Sequence, residues 1–310
     1  MSAAPVRLGI VGIGKIARDQ HLPSIAADPA FVLTAAASRA NRVDGVPNFI
    51  SLEAMVADGP ALDAVAICTP PQGRHAIART ALEAGLNVLL EKPPGATVGE
   101  VADLAALAKT KGVTLFTTWH SREAAGVEAA KAWLADRTVV AAQIVWKEDV
   151  RHWHPGQEWI FSAGGLGIFD PTINALSIIT KILPEALILD AAELAFPANR
   201  DAPIAATMAM TYDGRAPVTA DLDFLQTGPQ TWDIVVETDA GTLTLSLGGA
   251  QLTIAGGAVE VGENREYPGL YRRFAELIAA GESDIDTRPF QLAADAFLIG
   301  KRKAVEEFEF

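Results

Sequence analysis

Through the first 120 residues, short apolar runs alternate with stretches of helical periodicity. Runs at 7–11, 32–37, 64–68, 88–90 and 113–117 predict strands, and each but the last is followed by a helical pattern or a turn cluster. That rhythm predicts a parallel sheet with crossover helices. Between the last two runs, Thr97 and Glu100 of "TVGE" have the spacing of a capping box, which opens a helix that Gly112 ends. A further helix is predicted around 123–135, and then the pattern changes. Ile204, Ala206, Met208, Met210 and Tyr212 alternate with smaller or polar residues, "DG" turns the chain at Asp213, and Val218, Ala220, Leu222 and Phe224 alternate again. Runs at 232–237 and 242–247 follow. They predict an antiparallel sheet with two unlike faces, one needing cover from helices or from another subunit. Helical stretches near 268–280 and 289–305 close the chain.

At 310 residues the chain exceeds the usual size of a single core. The change of rhythm places the boundary: residues 1–121 form an α/β domain, and residues 122–310 form an α+β domain whose C-terminal helix packs back on the first. A net charge of −13 argues against a nucleic-acid or anionic-membrane surface, which draws on clustered Lys and Arg. With Cys68 alone, an internal disulfide and a cysteine metal cluster are both excluded. No uncharged run approaches the roughly 20 apolar residues of a membrane span. The expectation is a cytoplasmic enzyme.

The first strand runs directly into "GIGKIA", where Gly12, Gly14 and Ala17 make a G-x-G-x-x-A loop at the start of a helix. Gly12 permits the tight turn, Gly14 lets backbone approach a pyrophosphate, and Ala17 allows close helix packing. This predicts a dinucleotide-binding Rossmann domain, a doubly wound parallel sheet, with Ile13, Lys15 and Ile16 also in the phosphate loop. The second strand ends in Ser38 and Arg39, where an acid would grip a ribose hydroxyl. A hydroxyl and a guanidinium suit a 2′-phosphate, so NADP is favoured and NAD remains an accepted alternative.

Ligands of open α/β sheets bind beyond the carboxyl ends of the strands. Thr69, Pro70 and Pro71 of "CTPP" lie at one such end, with His75 shortly after, and Glu91 and Lys92 of "EKPP" at another. All six are expected at the cofactor, with Lys92 facing the reacting carbon and Glu91 or the sheet edge compensating its charge.

The glycine loop, "EKP" and "GGLGIFDPTIN" together resemble the glucose-fructose oxidoreductase and inositol dehydrogenase family (Gfo/Idh/MocA), over essentially the whole chain. The longer strings "GIGKIARDQHLP", "WHSR", "WKEDVRHWHPGQEW" and "FDPTINALSI" are similar to its bacterial L-arabinose and D-galactose 1-dehydrogenase group. The resemblance implies a Rossmann domain followed by a domain with a large, mostly antiparallel open-faced sheet. It also implies a site of Lys92, Asp170 and Asn174. The last two are four apart, with Pro171 suited to a first helical turn, so both project from one helix face. Many members carry histidine where this chain has Asn174, and asparagine takes no proton. The base is then Asp170, with Lys92 polarising the sugar oxygen, or Lys92 itself. On position alone, without the resemblance, Asp170 reads first as an N-terminal helix cap.

The resemblance carries over Glu148, Trp153 and His154 as sugar contacts, with His120 and Trp232 as further candidates. The mixture of donors, acceptors and flat apolar walls in "KEDVRHWHPGQEW" fits such a ligand. His152 and His154 have no matching third ligand nearby, so no metal is expected. The implied activity is oxidation of an aldose such as D-galactose or L-arabinose at C1 to its lactone, in a homodimer formed through the open sheet face. Two alternatives stand: an inositol or dihydrodiol dehydrogenase on the same scaffold, and a non-catalytic NADP sensor.

Overall fold

A computed structural model describes residues 4–310, which divide into two compact units. One runs to His120 and also takes in Glu266–Thr287; the other holds Ser121–Arg265 and Arg288–Phe310. Residue order alone put everything past 121 in the second domain. The return of 266–287 to the first follows from the need to bury both faces of its sheet.

In the first unit β1 (Val6–Val11), β2 (Phe31–Ala37), β3 (Asn48–Phe49), β4 (Ala64–Ile67), β5 (Asn87–Leu90) and β6 (Leu115–Thr117) pair in parallel, in the order β3-β2-β1-β4-β5-β6. The order reverses between β1 and β4, which makes the crevice at their carboxyl ends the expected ligand position. The glycine loop is followed by a π-helical turn (Ala17–His21) that continues as α1 (Leu22–Ala27), and α2 (Leu52–Asp58), α3 (Arg74–Glu83) and α4 (Val98–Lys111) follow. As expected, Thr97 accepts from the Glu100 amide and Gly112, with φ of 66°, ends α4; Glu100 reaches back to the Ala96 amide.

Side chains of the strands alternate between two cores. Val65, Ile67, Val88 and Leu90 pack with α2, α3 and α4, whereas Leu8, Ile10, Ala64, Ala66, Leu89 and Phe116 face the other way. On that second face α1 supplies Ile25. The rest of the cover comes from α8 (Glu266–Ala280), through Tyr267, Leu270, Tyr271, Phe274 and Leu277. A parallel sheet is stable only with both faces covered, so this late helix belongs to the early domain.

The second unit contains α5 (Val127–Leu134), β7 (Val139–Lys147), α6 (Val150–Trp153) and α7 (Phe169–Ile182). These are followed by β8 (Leu187–Pro197), β9 (Ala205–Tyr212), β10 (Ala216–Asp223), β11 (Thr231–Thr238), β12 (Gly241–Ser246), β13 (Gln251–Ile254) and β14 (Gly257–Val259), then by α9 (Arg288–Ile299) and β15 (Lys301–Val305). Its nine strands run β14-β13-β12-β11-β7-β10-β9-β8-β15. All pairs are antiparallel except β7 with β10 and β8 with β15. Asp213 and Gly214 both have positive φ, as a tight hairpin turn requires. Ala206, Met208, Met210, Val218, Ala220 and Leu222 lie on a buried face, while Thr207, Ala209, Pro217 and Thr219 lie on an exposed one.

Two predicted helices are shorter than their patterns suggested. The stretch 123–135 starts as a 3-10 turn (His120–Glu123) and becomes α-helical only after Gly126, whose absent Cβ would lie 2.9 Å from the Gly249 carbonyl oxygen. The stretch 289–305 stops at Ile299, because Gly300 breaks it and residues 301–305 pair with β8. No helix among the described residues is long and apolar enough to cross a membrane.

The joint between α8 and the sheet includes a buried polar cluster. Glu91 continues the alternation of Leu89 onto the α8 face, where its Oε1 accepts from the Tyr267 hydroxyl at 2.6 Å and lies 3.4 Å from His21 Nε2. His21 Nδ1 is 2.8 Å from the Tyr271 hydroxyl, and its ring meets both tyrosine rings edge-on. Burial pushes the Glu91 carboxyl up, but the His21 hydrogen bond and the charges of His21, His120 and Lys92 outweigh it and hold the pKa at about 2. Burial likewise disfavours a charged His21, yet Cys68, Tyr271 and Glu91 raise its pKa well above the usual value.

A carboxylate depressed by folding stabilises the protein above its unfolded pKa and loses that contribution as pH falls through the folded value. The urea midpoint should therefore fall between pH 4.5 and about 2, and fall less in Glu91→Gln, which starts lower at pH 7. Equal acid slopes in the two proteins would show that Glu91 titrates as it does in the unfolded chain.

Candidate active site

The hydrogen-bond ladder of the first sheet runs past the strand ends, so the loops that leave them are held by main chain. Gly12 N donates to Ala37 O, Cys68 N to Val11 O, Glu91 N to Ile67 O and Thr118 N to Leu90 O, at 2.8–3.1 Å. Gly12 has φ of 89° and a Cβ there would lie 2.7 Å from Thr69 N, so the first turn accepts glycine alone. At Gly14 an added Cβ would meet nothing within 4 Å, which leaves open space beside the loop. Ala17 is fully buried.

These loops place the sequence-identified residues unequally. Ser38 and Arg39 directly follow β2, with Arg39 exposed. Asn41, which no motif singled out, donates through its side chain to the Ile13 carbonyl at 2.8 Å and through its main-chain N–H to Ser38 Oγ, so it ties the glycine loop to the turn after β2. Its signal was only its place three residues after Ser38. The Ile13 side chain is in the core, so it does not face a ligand. Lys15 is exposed and pairs with Asp19, and Ile16 is partly exposed. Thr69 Oγ1 is buried without a hydrogen-bond partner, between the exposed Pro70 and the buried Pro71. His75 turns aside to Asp103 of α4, at 2.8 Å. Glu91, read as a cofactor contact, instead sends its side chain into the interior, because strand alternation points it at α8.

Lys92 is half-buried, and the main chain around it is held from beneath. Arg74, 2% exposed at the start of α3, donates through Nη1 to the carbonyls of Glu91 and Pro93 and through Nη2 to that of Thr69. One guanidinium thus joins the loops after β4 and β5, and the Lys92–Pro93 peptide between them is cis. His120, just beyond β6, has Nδ1 2.6 Å from the Glu266 carboxylate and its ring stacked on Tyr267. A buried orphan hydroxyl at Thr69, the open space at Gly14 and the main-chain turn at Gly12 fit a dinucleotide along this edge.

The second unit assembles four of the expected sugar contacts. Glu148, 4% exposed, follows β7; its Oε2 accepts from Trp232 Nε1 at 2.9 Å, and its Oε1 is 3.5 Å from His154 Nε2. The Trp153 and Trp232 rings meet at 5.2 Å, and Trp153 stays 42% exposed. Gln230, missed by the sequence reading, holds the arrangement: its Oε1 accepts from Asp149 N at 2.9 Å and from Trp153 Nε1 at 3.2 Å. On α7 the cap position is Ile168, with no side-chain cap bond, so Asp170 sits inside the first turn and is 3% exposed. One turn on, Asn174 Oδ1 is buried with no hydrogen-bond partner. A buried acceptor without a donor is costly in a folded chain and points to a ligand donor. No group of three or more His, Cys, Asp or Glu among the described residues could hold a metal ion.

Comparison with known proteins agrees with this architecture. Residues 6–119 match the oxidoreductase family with an NAD-binding Rossmann fold, GFO_IDH_MocA. The chain is 47% identical over 316 aligned residues to a galactose 1-dehydrogenase of Pseudomonas fluorescens, covering 98% of this chain and 99% of that protein. It superimposes on the crystal structure of a D-galactose-1-dehydrogenase from Rhizobium etli with a TM-score of 0.96 and 56% identity, over 100% of this chain and 99% of that one. A 3-ketoreductase from Actinomadura kijaniata shares the fold at 19% identity and a TM-score of 0.82, over 97% and 99% of the two chains. A relative this similar over nearly its whole length, together with the family match over residues 6–119, makes the chain a member of the Gfo/Idh/MocA oxidoreductase family.

Proposed function

We propose that the protein is an aldose 1-dehydrogenase that oxidises D-galactose and L-arabinose, with NADP preferred over NAD. The observation that carries the reading is the unpartnered Asn174 Oδ1 on the same helix face as Asp170, a place where a sugar hydroxyl supplies the missing donor. The galactose dehydrogenases of Pseudomonas fluorescens and Rhizobium etli, similar over their full lengths, support the substrate class. Glu148, Trp153, His154 and Trp232 present a carboxylate, an imidazole and two indoles in one cluster, which suits a hydroxylated ring with apolar faces.

Asp170 takes the proton of the C1 hydroxyl as general base, since Asn174 cannot. Lys92 provides a cation that stabilises charge developing on the sugar oxygen. His120 is a further sugar contact in this reading. The dinucleotide is held by the Gly12–Gly14 main chain, by Thr69 and, through its 2′-phosphate, by Ser38 and Arg39. When bound, the nicotinamide would supply the hydride acceptor, so that loss of the C1 hydrogen as hydride and of the C1 hydroxyl proton leaves a lactone. D-Galactose and L-arabinose share configuration at C2, C3 and C4, which is why one pocket takes both. A cytoplasmic homodimer joined through the exposed face of the large sheet completes the reading.

Absorbance at the reduced-nicotinamide band across aldoses and polyols tests the substrate class: D-galactose and L-arabinose should lead, and turnover of inositols or dihydrodiols alone would reject the reading. Lys92→Ala and Asp170→Ala should each lower kcat by about 10³-fold while NADP still binds. Wild-type turnover in either variant removes that residue from the chemistry. Arg39→Ala should raise the NADP dissociation constant about tenfold or more, the loss of one charge-assisted contact, and leave NAD binding unchanged. An unaltered NADP-to-NAD ratio would place the 2′-phosphate elsewhere.

A further inference from the structure

The buried Glu91 side chain has no part in the chemistry above, yet it lies one residue from Lys92. Its geometry is costly. A carboxylate 3% exposed beside a fully buried imidazole and two buried phenols is a poor way to fill a core that an apolar residue would fill equally well. The groups that meet there come from every element packed around the end of β5. His21 arrives from the π-helical turn, Cys68 from the end of β4, His120 from beyond β6, and Glu266, Tyr267 and Tyr271 from α8.

We infer that Tyr267 is a positioning residue for Lys92. Its hydroxyl holds Glu91 Oε1 at 2.6 Å, the shorter of the two contacts to that oxygen, and so fixes the residue that precedes the lysine. Arg74 holds the carbonyls on either side, those of Glu91 and Pro93. With side chain and main chain both pinned, the Lys92 stem leaves a backbone that has little freedom to shift. The Tyr267 ring also packs against the His21 and His120 rings, at 5.0 and 5.1 Å, so the hydroxyl is itself held in place. Tyr271 is the natural control. It is as buried and lies one helical turn further along α8, but its hydroxyl reaches His21 rather than Glu91. The inference rests on the reading of Lys92 as a catalytic group.

The experiment compares Tyr267→Phe, Tyr271→Phe and Lys92→Ala in the full chain, by urea midpoint, NADP dissociation constant, and kcat and KM for D-galactose. Tyr267→Phe should lower kcat by about 10- to 100-fold, the scale expected when a reacting group is misplaced, while the NADP dissociation constant and the galactose KM move less than about twofold. Tyr271→Phe should keep kcat within about threefold of wild type. Wild-type kcat in Tyr267→Phe, or equal losses in the two phenylalanine variants, overturns the inference. An inactive Lys92→Ala beside a fully active Tyr267→Phe defeats this inference alone, whereas an active Lys92→Ala defeats the assignment of the lysine and this inference with it. If Tyr267→Phe does not fold, Glu91→Gln takes its place: the same kcat-selective loss supports the positioning role, and full kcat refutes it.

Discussion

A parallel sheet has no solvent face to spare, and that constraint organises the first unit. Strand alternation sends Leu8, Ile10, Ala64, Ala66, Leu89 and Phe116 away from α2, α3 and α4, onto a face where the local crossovers supply only α1. Tyr267, Leu270, Tyr271, Phe274 and Leu277 cover the remainder from a helix nearly 150 residues further along the chain than β6. Covering that face requires the chain to leave the first unit, build the second and return. The return also carries polar groups into the core, since Tyr267 and Tyr271 bring hydroxyls that an all-apolar helix would lack.

Those hydroxyls explain how a glutamate survives at a buried strand end. Removing an ionised carboxylate from water is unfavourable unless hydrogen bonds and opposite charge replace the solvent. Here Tyr267 and His21 supply the bonds, and the charges of His21, His120 and Lys92 favour the anion strongly enough to overcome burial. On the other side of the same backbone, Arg74 spends its donors on three carbonyls and ties the loops after β4 and β5 together. The carboxyl edge of this sheet is thus held by hydrogen bonds where Lys92 leaves it and open where Gly14 lies.

The second unit uses a comparable economy of means. Gln230 accepts from both Asp149 N and Trp153 Nε1, and Glu148 accepts from Trp232, so one amide and one carboxylate orient two indoles and the turn between them. Against that satisfied cluster, the buried Asn174 Oδ1 stands out as an acceptor the protein does not complete.

Periodicity and short motifs were enough to indicate the parallel sheet of the first unit, the antiparallel hairpin in the second, the glycine loop and the ends of α4, because these depend on neighbours within a few positions. The Asp213-Gly214 hairpin and the inward Ala206, Met208 and Met210 were legible for the same reason. Tertiary structure alone decided that α8 joins the first unit, that β15 replaces the last turns of a predicted helix, and that Glu91 points inward while His75 turns to Asp103. It also revealed Arg74, Asn41, Gln230 and Tyr267 as the residues that hold others in place. Each of those roles depends on a partner many residues away, and no local pattern of apolar and polar positions encodes which distant group a buried donor will meet.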